Sequence, residues 1–380
     1  MERSVWAWTS VLFCNEFVRA ALFYVWVPLI VPHVDHVPIG WVGFCTSCQF
    51  AADAATKLCY GIAAARGYAR LLLRCGSAVS VVSVVTLLFV HNATSLWMAS
   101  VLFGFGAASI WPAALSHYGR QTEGAKGESL AKAFVPWMTG TGVGMFLPNV
   151  LLHHRPIIKV VLVFASLVVF ACTWLIQPSG RDATPSLRRE VQLVRILSRK
   201  VKIFLPPMLI QTLIIGTVSP YLALFAVKSL HLHPEQYALL LIGIGVMTVC
   251  LLIPFGKVSD KLGRLPLLCA AFFTSSCSIV ALAISHTWGQ AFIPGVMFGV
   301  SFGVVFPAWN ALFMEAVPHW LHTRAVGLFT SIEDSGTALG PLVGALSWQY
   351  IGPTGPFLLS GSLMALLAVY FAVWWKRSLK

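Results

Sequence analysis

Gly256-Lys257-Val258-Ser259-Asp260-Lys261-Leu262-Gly263-Arg264 is a short, glycine-flanked, mostly charged stretch between two long apolar runs. Shifted back by 195 residues, its first glycine falls on Gly61. There it opens a degraded copy, Gly61-Ile62-Ala63-Ala64-Ala65-Arg66-Gly67-Tyr68-Ala69-Arg70. A charged turn that recurs at half the chain length predicts a duplicated bundle of membrane helices.

Composition supports the membrane reading. Of the 380 residues, 58% are hydrophobic and 10% charged, and the mean hydropathy is +0.80. A soluble chain carries about 25% charge. Apolar runs near the roughly 20 residues that a spanning helix needs recur throughout. They place twelve spans, at 5–31, 39–63, 71–91, 94–116, 130–153, 157–177, 203–228, 234–256, 266–286, 288–314, 325–350 and 355–375. A cleavable leader is not expected, because the first run is long and holds Glu16 and Arg19.

The net charge of +13 suggests nucleic acid until it is mapped onto loops. Of 26 Lys and Arg, 21 fall on one predicted side, while Arg155, Lys159 and Lys228 fall on the other. This bias puts both termini in the cytoplasm and makes the basic loops a topology signal, with no nucleic-acid partner. A multi-pass protein of the cell membrane is expected. Trp6, Trp41, Trp97, Trp288, Trp374 and Trp375 lie near span ends, where interfacial anchoring accounts for them. The nine cysteines read as core filler. His153 and His154 lack acid partners, so no metal site and no cofactor are expected.

The domain reading is an N-terminal six-helix lobe at 1–177, a cytoplasmic linker at 178–202 and a C-terminal lobe at 203–380. Leu187, Val191, Val194 and Leu197 alternate with basic residues in the linker, which suits a short amphipathic helix on the membrane face. The halves match at two further landmarks. Trp111-Pro112-Ala113 answers Phe306-Pro307-Ala308 at an offset of 195. Gly140-Thr141-Gly142-Val143-Gly144 answers Gly336-Thr337-Ala338-Leu339-Gly340 at 196.

Gly256-x-x-x-Asp260-Lys261-x-Gly263-Arg264 resembles the signature of the major facilitator superfamily between its second and third, or eighth and ninth, helices. Gly336-x-x-x-Gly340-Pro341-x-x-Gly344 is similar to that family's glycine-proline pattern in the fifth and eleventh. The resemblance implies an all-α membrane fold of twelve helices in two lobes, working by alternating access. It departs from the pattern at Ala65, where an acid is expected, which puts an Asp-based latch at that end in doubt.

The implied conformational gate comprises Gly256, Asp260, Lys261, Gly263, Arg264 and Asp334. The glycines permit a tight turn and close helix approach. Asp260 is expected to face a helix N-terminus, and Lys261 and Arg264 to hold acids or helix C-termini. Glu333 and Asp334 either contact this region or form a second proton site. Pro341 is expected to bend its helix.

The charges without a copy point to the chemistry. Ionisable residues inside a membrane mark function by default. Glu16 and Arg19 are spaced i, i+3 in the first helix, and Asp53 and Lys57 i, i+4 in the second, each pair on one face. Offset by 195, they become Gln211, Ile214, Thr248 and Leu252. One lobe therefore offers a polar, titratable wall and the other an apolar one. Candidate cavity residues are Asn15, Trp111, Trp137, Gln211, Phe225, Met247, Phe298, Phe302 and Trp309. Such walls suit an amphiphile. Burial penalises charge on Glu16 or Asp53 while Arg19 or Lys57 favours it, so an acid so balanced can load and release a proton. A static salt-bridge network is the alternative reading. Lys57 can instead snorkel to the interface, and Trp111 and Trp137 can simply pack.

Glu-x-x-Arg in the first helix, with Asp and Lys in the second, is similar to a narrower branch. It comprises proton-coupled flippases for the glycolipid anchor of lipoteichoic acid and related bacterial exporters. That resemblance implies proton coupling by Glu16, Arg19 and Asp53. The expected function is a proton-coupled exporter or flippase of an amphiphilic, lipid-like substrate, with protons and membrane lipid as partners and a monomer as the working unit. A multidrug exporter of lipophilic molecules is the rival, and an uptake carrier for sugars or organic anions comes third. A membrane enzyme finds no support, since no Ser-His-Asp set, metal cluster or phosphate loop is present. A non-transporting receptor would bind substrate without moving it.

Overall fold

A computed structural model describes residues 2–31, 38–63, 68–89, 92–120, 126–176, 202–317 and 322–378, which form helices joined by short turns, with no strand among them. Apart from Lys202, the linker expected to be amphipathic lies outside the described residues, as do residues 64–67 of the degraded copy. Helix α1 runs Glu2–Ala20 and continues through a π-helical stretch, Ala21–Trp26, into Val27–Leu29. There follow α2 (Ile39–Ala63), α3 (Ala69–Phe89), α4 in two segments (Ala93–Ala107 and Ile110–Arg120), α5 (Lys126–Val150) and α6 (Arg155–Leu175). The second half supplies α7 (Leu205–Lys228), α8 (Pro234–Leu262), α9 (Arg264–Ala283), α10 (Trp288–Ala316), α11 (His322–Ile351) and α12 (Gly355–Ser378).

Among the described residues, nine helices are long and apolar enough to cross a membrane. Missing from that set are α2, α5 and α11, whose polar content lowers their hydropathy: Gln49, Asp53 and Lys57 in α2, Thr139, Thr141 and Asn149 in α5, and Glu333 and Asp334 in α11. A polar helix reaches hydrocarbon depth only where protein or a wet cavity shields its polar face.

The chain divides into two compact units, Met1–Glu190 and Val191–Lys380. In the first, α1 packs on α5 and α6, α2 on α4, and α3 on α4 and α6. In the second, α7 packs on α11 and α12, α8 on α10, and α9 on α10 and α12. The pairings repeat, and so do their contact points. Gly140 and Gly144 of α5 meet the backbone of Phe13 and Phe17 on α1. Gly336 and Gly340 of α11 meet the backbone of Leu209 and Leu213 on α7. In α2 and α4, Gly104 faces the carbonyl of Gln49; in α8 and α10, Gly299 faces that of Ile244. Lipid tails give helices no hydrophobic reason to associate, so close backbone approach and hydrogen bonds across the contact must hold the pairs. Thr217 Oγ1 donates to the Gly340 carbonyl at 3.1 Å, and Tyr221 Oη to that of Pro341 at 3.0 Å. Thr248 Oγ1 donates to Gly299 at 3.0 Å.

These contacts refine the alignment of the halves. Gln49 and Ile244 stand 195 apart, as do Gly104 and Gly299, which keeps Asp53 opposite Thr248 and Lys57 opposite Leu252. For α1 the contact offset is 196, because Phe13 answers Leu209. Glu16 therefore answers Thr212 and Arg19 answers Ile215, in place of the Gln211 and Ile214 given by the uniform offset. Neither correction returns a charge to the second half.

The decisive stretch also differs from its expected shape. Gly256 to Leu262 continue α8 as helix, and the chain turns only at Gly263, whose φ of 89° suits glycine. Gly256 makes no close helix contact within this unit: a Cβ there would meet nothing nearer than Pro307 at 4.0 Å.

Gly340 tests the packing account. Its added Cβ would lie 2.6 Å from the backbone of Gly216, where no side chain can swing aside. Gly340→Ala should cost about 1–3 kcal/mol, read as a lower thermal midpoint in detergent. Gly142→Ala, with nothing within 4 Å of the new methyl, should leave that midpoint unchanged.

Candidate functional site

The four uncopied charges meet in the first unit. Arg19 Nη2 donates to Glu16 Oε2 one turn back on α1. Its Nη1 lies 3.7 Å from Asp53 Oδ2 on α2. Lys57 Nζ donates to the same Oδ2 at 2.8 Å. Asn15 Nδ2 donates to Glu16 Oε1 at 3.2 Å. Glu16, Arg19, Asp53 and Lys57 thus form one chain of alternating sign, neutral in sum. Glu16 is 6% exposed and Asp53 3% exposed, so neither carboxylate relies on bulk water. Each needs its cation there, since an isolated charge in a low-dielectric interior is strongly disfavoured.

Several uncharged groups shape this chain. The Arg19 guanidinium lies 5.3 Å from the centroid of the Phe50 ring. Tyr24, buried in the π-helical stretch that begins two residues past Arg19, is an electrostatic neighbour of both Arg19 and Glu16. Helix α2 carries Thr46, Gln49, Asp53 and Lys57 on one buried face, because steps of three and four keep a helix face. Thr46 Oγ1 is satisfied by the Val42 carbonyl at 2.8 Å. Gln49 is fully buried, and neither its Oε1 nor its Nε2 has a hydrogen-bond partner among the described residues.

The aromatic candidates divide. Trp111 and Trp137 have centroids 6.0 Å apart, and Phe134 packs edge-on against both. Both indoles are half-buried, and Trp111 rests on the cluster around Trp8, Leu12 and Tyr118. In the second unit, Phe298, Phe302 and Phe306 form a ladder along α10, with centroids 6.2 and 6.5 Å apart. Met247 is 39% exposed. Gln211 is half-buried, with Oε1 lacking a hydrogen-bond partner among the described residues.

Phe225 and Trp309 are not wall residues in this structure. Each is 1% exposed: Phe225 packs on Phe357 at 4.5 Å, and Trp309 among Phe204, Phe329 and Phe371. Apolar side chains on inner helices fill the unit's own core as readily as they line a cavity, and sequence spacing does not separate the two. Glu333 lies beside the Trp309 indole, with Asp334 next to it. Both acids are half-buried on α11.

At the Gly263 turn, Arg264 opens α9 and reaches Asp260 Oδ1 on α8 at 3.3 Å and Glu315 Oε1 at the end of α10 at 2.6 Å. One guanidinium joins three helix ends. Lys261 is exposed. Glu315 was missing from the sequence reading, although it sits in the last turn of a span beside a basic turn, the pattern that would have found it. Gln49 and Tyr24 were also missed; Gln49 was legible as the residue one turn before Asp53. All nine cysteines are free thiols. Cys45 and Cys48 do make a C-x-x-C spacing on α2, but the described residues include no metal-holding cluster.

Two sequence matches to one family decide the class. The Major Facilitator Superfamily pattern matches residues 9–218 and again 208–379. The chain belongs to the Major Facilitator Superfamily. It is a multi-pass membrane transporter, matched along nearly its whole length. Among relatives, "Proton-coupled antiporter flippase LtaA" of Staphylococcus saprophyticus is 23% identical over 97% of this chain and 93% of its own length. The protein of that name from Staphylococcus aureus is 23% identical over 95% and 92%. The fold resembles that of a D-xylose-proton symporter, with a TM-score of 0.76, 13% identity and 97% of each chain covered. It also resembles a point mutant of the nucleoside transporter NupG, with a TM-score of 0.77, 11% identity and coverage of 96% and 99%.

The network makes a stability prediction. Arg19→Met leaves two buried carboxylates with only Lys57 between them, a loss of about 3–5 kcal/mol at neutral pH. Acid protonates the stranded carboxyl, so the deficit should shrink as pH falls. Thermal unfolding of wild type and variant in detergent at pH 5 and pH 8 measures it; an equal deficit at both would contradict the account.

Proposed function

We propose that this transporter couples inward proton movement to export or flipping of an amphiphilic, lipid-like substrate. The observation that carries the reading is the four-charge chain Glu16–Arg19–Asp53–Lys57, present in one half and absent from the other. The second half makes matching helix contacts while carrying Thr212, Ile215, Thr248 and Leu252 at the equivalent positions, so packing alone does not call for the charges.

Electroneutrality drives the proposed cycle. With both acids ionised, Arg19 and Lys57 are occupied. Proton uptake by Glu16 or Asp53 removes one negative charge and leaves a cation without its partner. An uncompensated buried cation is costly, so the state favours an anionic or strongly polar head group in its place. Departure of that group favours proton release. The tryptophan pair Trp111 and Trp137 offers flat apolar faces that suit sugar rings or head-group carbon. The Phe298–Phe302–Phe306 ladder offers the second unit's apolar surface for a tail. On the orientation predicted by the basic loops, the Arg264 cluster joins the cytoplasmic ends of α8, α9 and α10 and serves as part of the gate.

The names of the staphylococcal relatives, proton-coupled antiporter flippases, agree with this reading. A multidrug exporter is favoured instead by the aromatic ladder taken alone, since flat lipophilic rings would stack on it equally well.

Purified protein in liposomes under an imposed pH gradient separates them, with a fluorescent glycolipid, a fluorescent choline phospholipid and a lipophilic dye as probes. Glu16→Gln and Asp53→Asn should each lower gradient-driven movement by at least about tenfold, in the range lost with an essential proton-transfer group. Arg19→Ala should abolish glycolipid movement. Full gradient-driven transport in all three variants would sink the coupling proposal. Dye transport that survives Arg19→Ala, with no glycolipid transport in wild type, would favour the drug pump.

A further inference from the structure

Gln49 lies one helical turn from Asp53, and its amide is the best-buried side-chain polar group near the charge network without a partner. Among the described residues neither Oε1 nor Nε2 has a partner, although buried amides nearly always find one. Leaving one without any is a penalty that packing must absorb. Packing does not require the amide either. At the matching contact of the second half, Gly299 meets the carbonyl of Ile244 as Gly104 meets that of Gln49. A branched hydrocarbon therefore serves in that helix pair, and the polar end of Gln49 has another use.

Asp53 shows what that use is. Its contacts with Lys57 and Arg19 both engage Oδ2, on the side of the carboxylate reached from α1 and from the next turn of α2. Oδ1 takes part in neither. Gln49 and Asp53 are spaced i, i+4, a spacing at which glutamine and aspartate side chains hydrogen-bond along a helix. As a carboxylate, Asp53 cannot donate; as a neutral acid it gains one O–H and requires an acceptor.

We propose that Gln49 is the positioning residue for the proton-loaded form of Asp53. A proton from the aqueous side bonds to Oδ1, and the new O–H donates to Gln49 Oε1. Lys57 keeps its three protons and loses only its bond to Asp53, with Arg19 still held by Glu16. Asp53 thus has two settings, a carboxylate bonded toward Lys57 and a neutral acid bonded toward Gln49. Among the described residues, the charged groups around it are Arg19 and Glu16 from α1 and Lys57 from its own helix, with Tyr24 an electrostatic neighbour of Arg19. From α4 the contact is the Gly104 backbone, which carries no charge. The inference rests on the proposed role of Asp53 as a proton carrier.

Infrared difference spectroscopy of the full chain in liposomes tests it, by titrating the carboxylic C=O band that Asp53→Asn abolishes. Gln49→Leu removes the acceptor. The pH at which Asp53 takes up its proton should fall by about one unit, a roughly tenfold weaker proton affinity, and the C=O band should move to higher frequency. Gln49→Glu keeps an acceptor oxygen and adds a like charge, so the midpoint should rise. Opposite movements are beyond a merely structural role. Because Leu resembles the Ile244 of the matching contact, that variant should fold with unreduced thermal stability. An unmoved midpoint and band in both variants would overturn the proposal. Transport that stays proton-driven in Asp53→Asn would defeat the coupling role alone, since the band reports the Gln49 contact directly.

Discussion

A glycine set against a neighbouring helix's backbone carbonyl is the contact on which the rest of the fold depends. Inside a membrane, apolar side chains gain little by meeting one another rather than lipid. Helices must therefore approach closely enough for backbone dispersion and weak polar contacts to matter. Gly140 and Gly144 do this for α1, Gly104 for α2, and Gly336, Gly340 and Gly299 for their counterparts. The approach leaves no room for slippage, so it also fixes the register of every polar residue on these helices. Gln49 and Asp53 are held where they are because Gly104 pins the backbone between them.

Once register is fixed, substitutions at equivalent positions acquire meaning. The two units share their helix pairings and their glycine contacts, yet differ in what the pinned helices carry. Thr248 spends its hydroxyl on the Gly299 carbonyl, strengthening a helix contact. Asp53 spends its carboxylate on Lys57 and Arg19. A buried ion network is weak support for stability against an apolar alternative. The second unit, built with the apolar alternative, demonstrates that the contact does not need charge. The natural reading of a costly feature present in only one copy is that it serves function.

The fold was legible because the signals that define it are repeated: apolar runs of spanning length, the glycine-proline landmarks, and a basic turn at two places. The charge pairs were legible as spacing on single helices. Their union across α1 and α2 depended on Arg19 extending to Asp53, which no spacing encodes. Side-chain direction was the main failure. Phe225 and Trp309 look like wall residues on paper and are core residues in space, since helix periodicity marks a face without saying what covers it. The charged stretch at Gly256 looked like a loop because glycine and charge both suggest exposure. Instead α8 carries its helix to Leu262, and only the positive φ at Gly263 breaks it. Gln49 escaped notice because amides are common and an unsatisfied one is visible only when its surroundings are known.

The electroneutrality of the Glu16–Arg19–Asp53–Lys57 network constrains any mechanism proposed for it. Two acids and two bases sum to zero, so every single protonation leaves a net positive site in a medium that tolerates little net charge. That site has three remedies: losing a proton again, admitting an anion, or moving a cation to water. Arg19 is fastened to Glu16 and lies against Phe50, so it has no ready route out. Lys57 sits four residues nearer the end of α2 on a flexible stem that can carry its ammonium toward the interface. Under the proposed function, a head group that arrives while Asp53 is protonated meets the Lys57 ammonium, and one that leaves returns that cation to Asp53. On the proposed reading, proton and substrate then compete for the same balance of charge, and exchange follows from electrostatics without a direct bond between them.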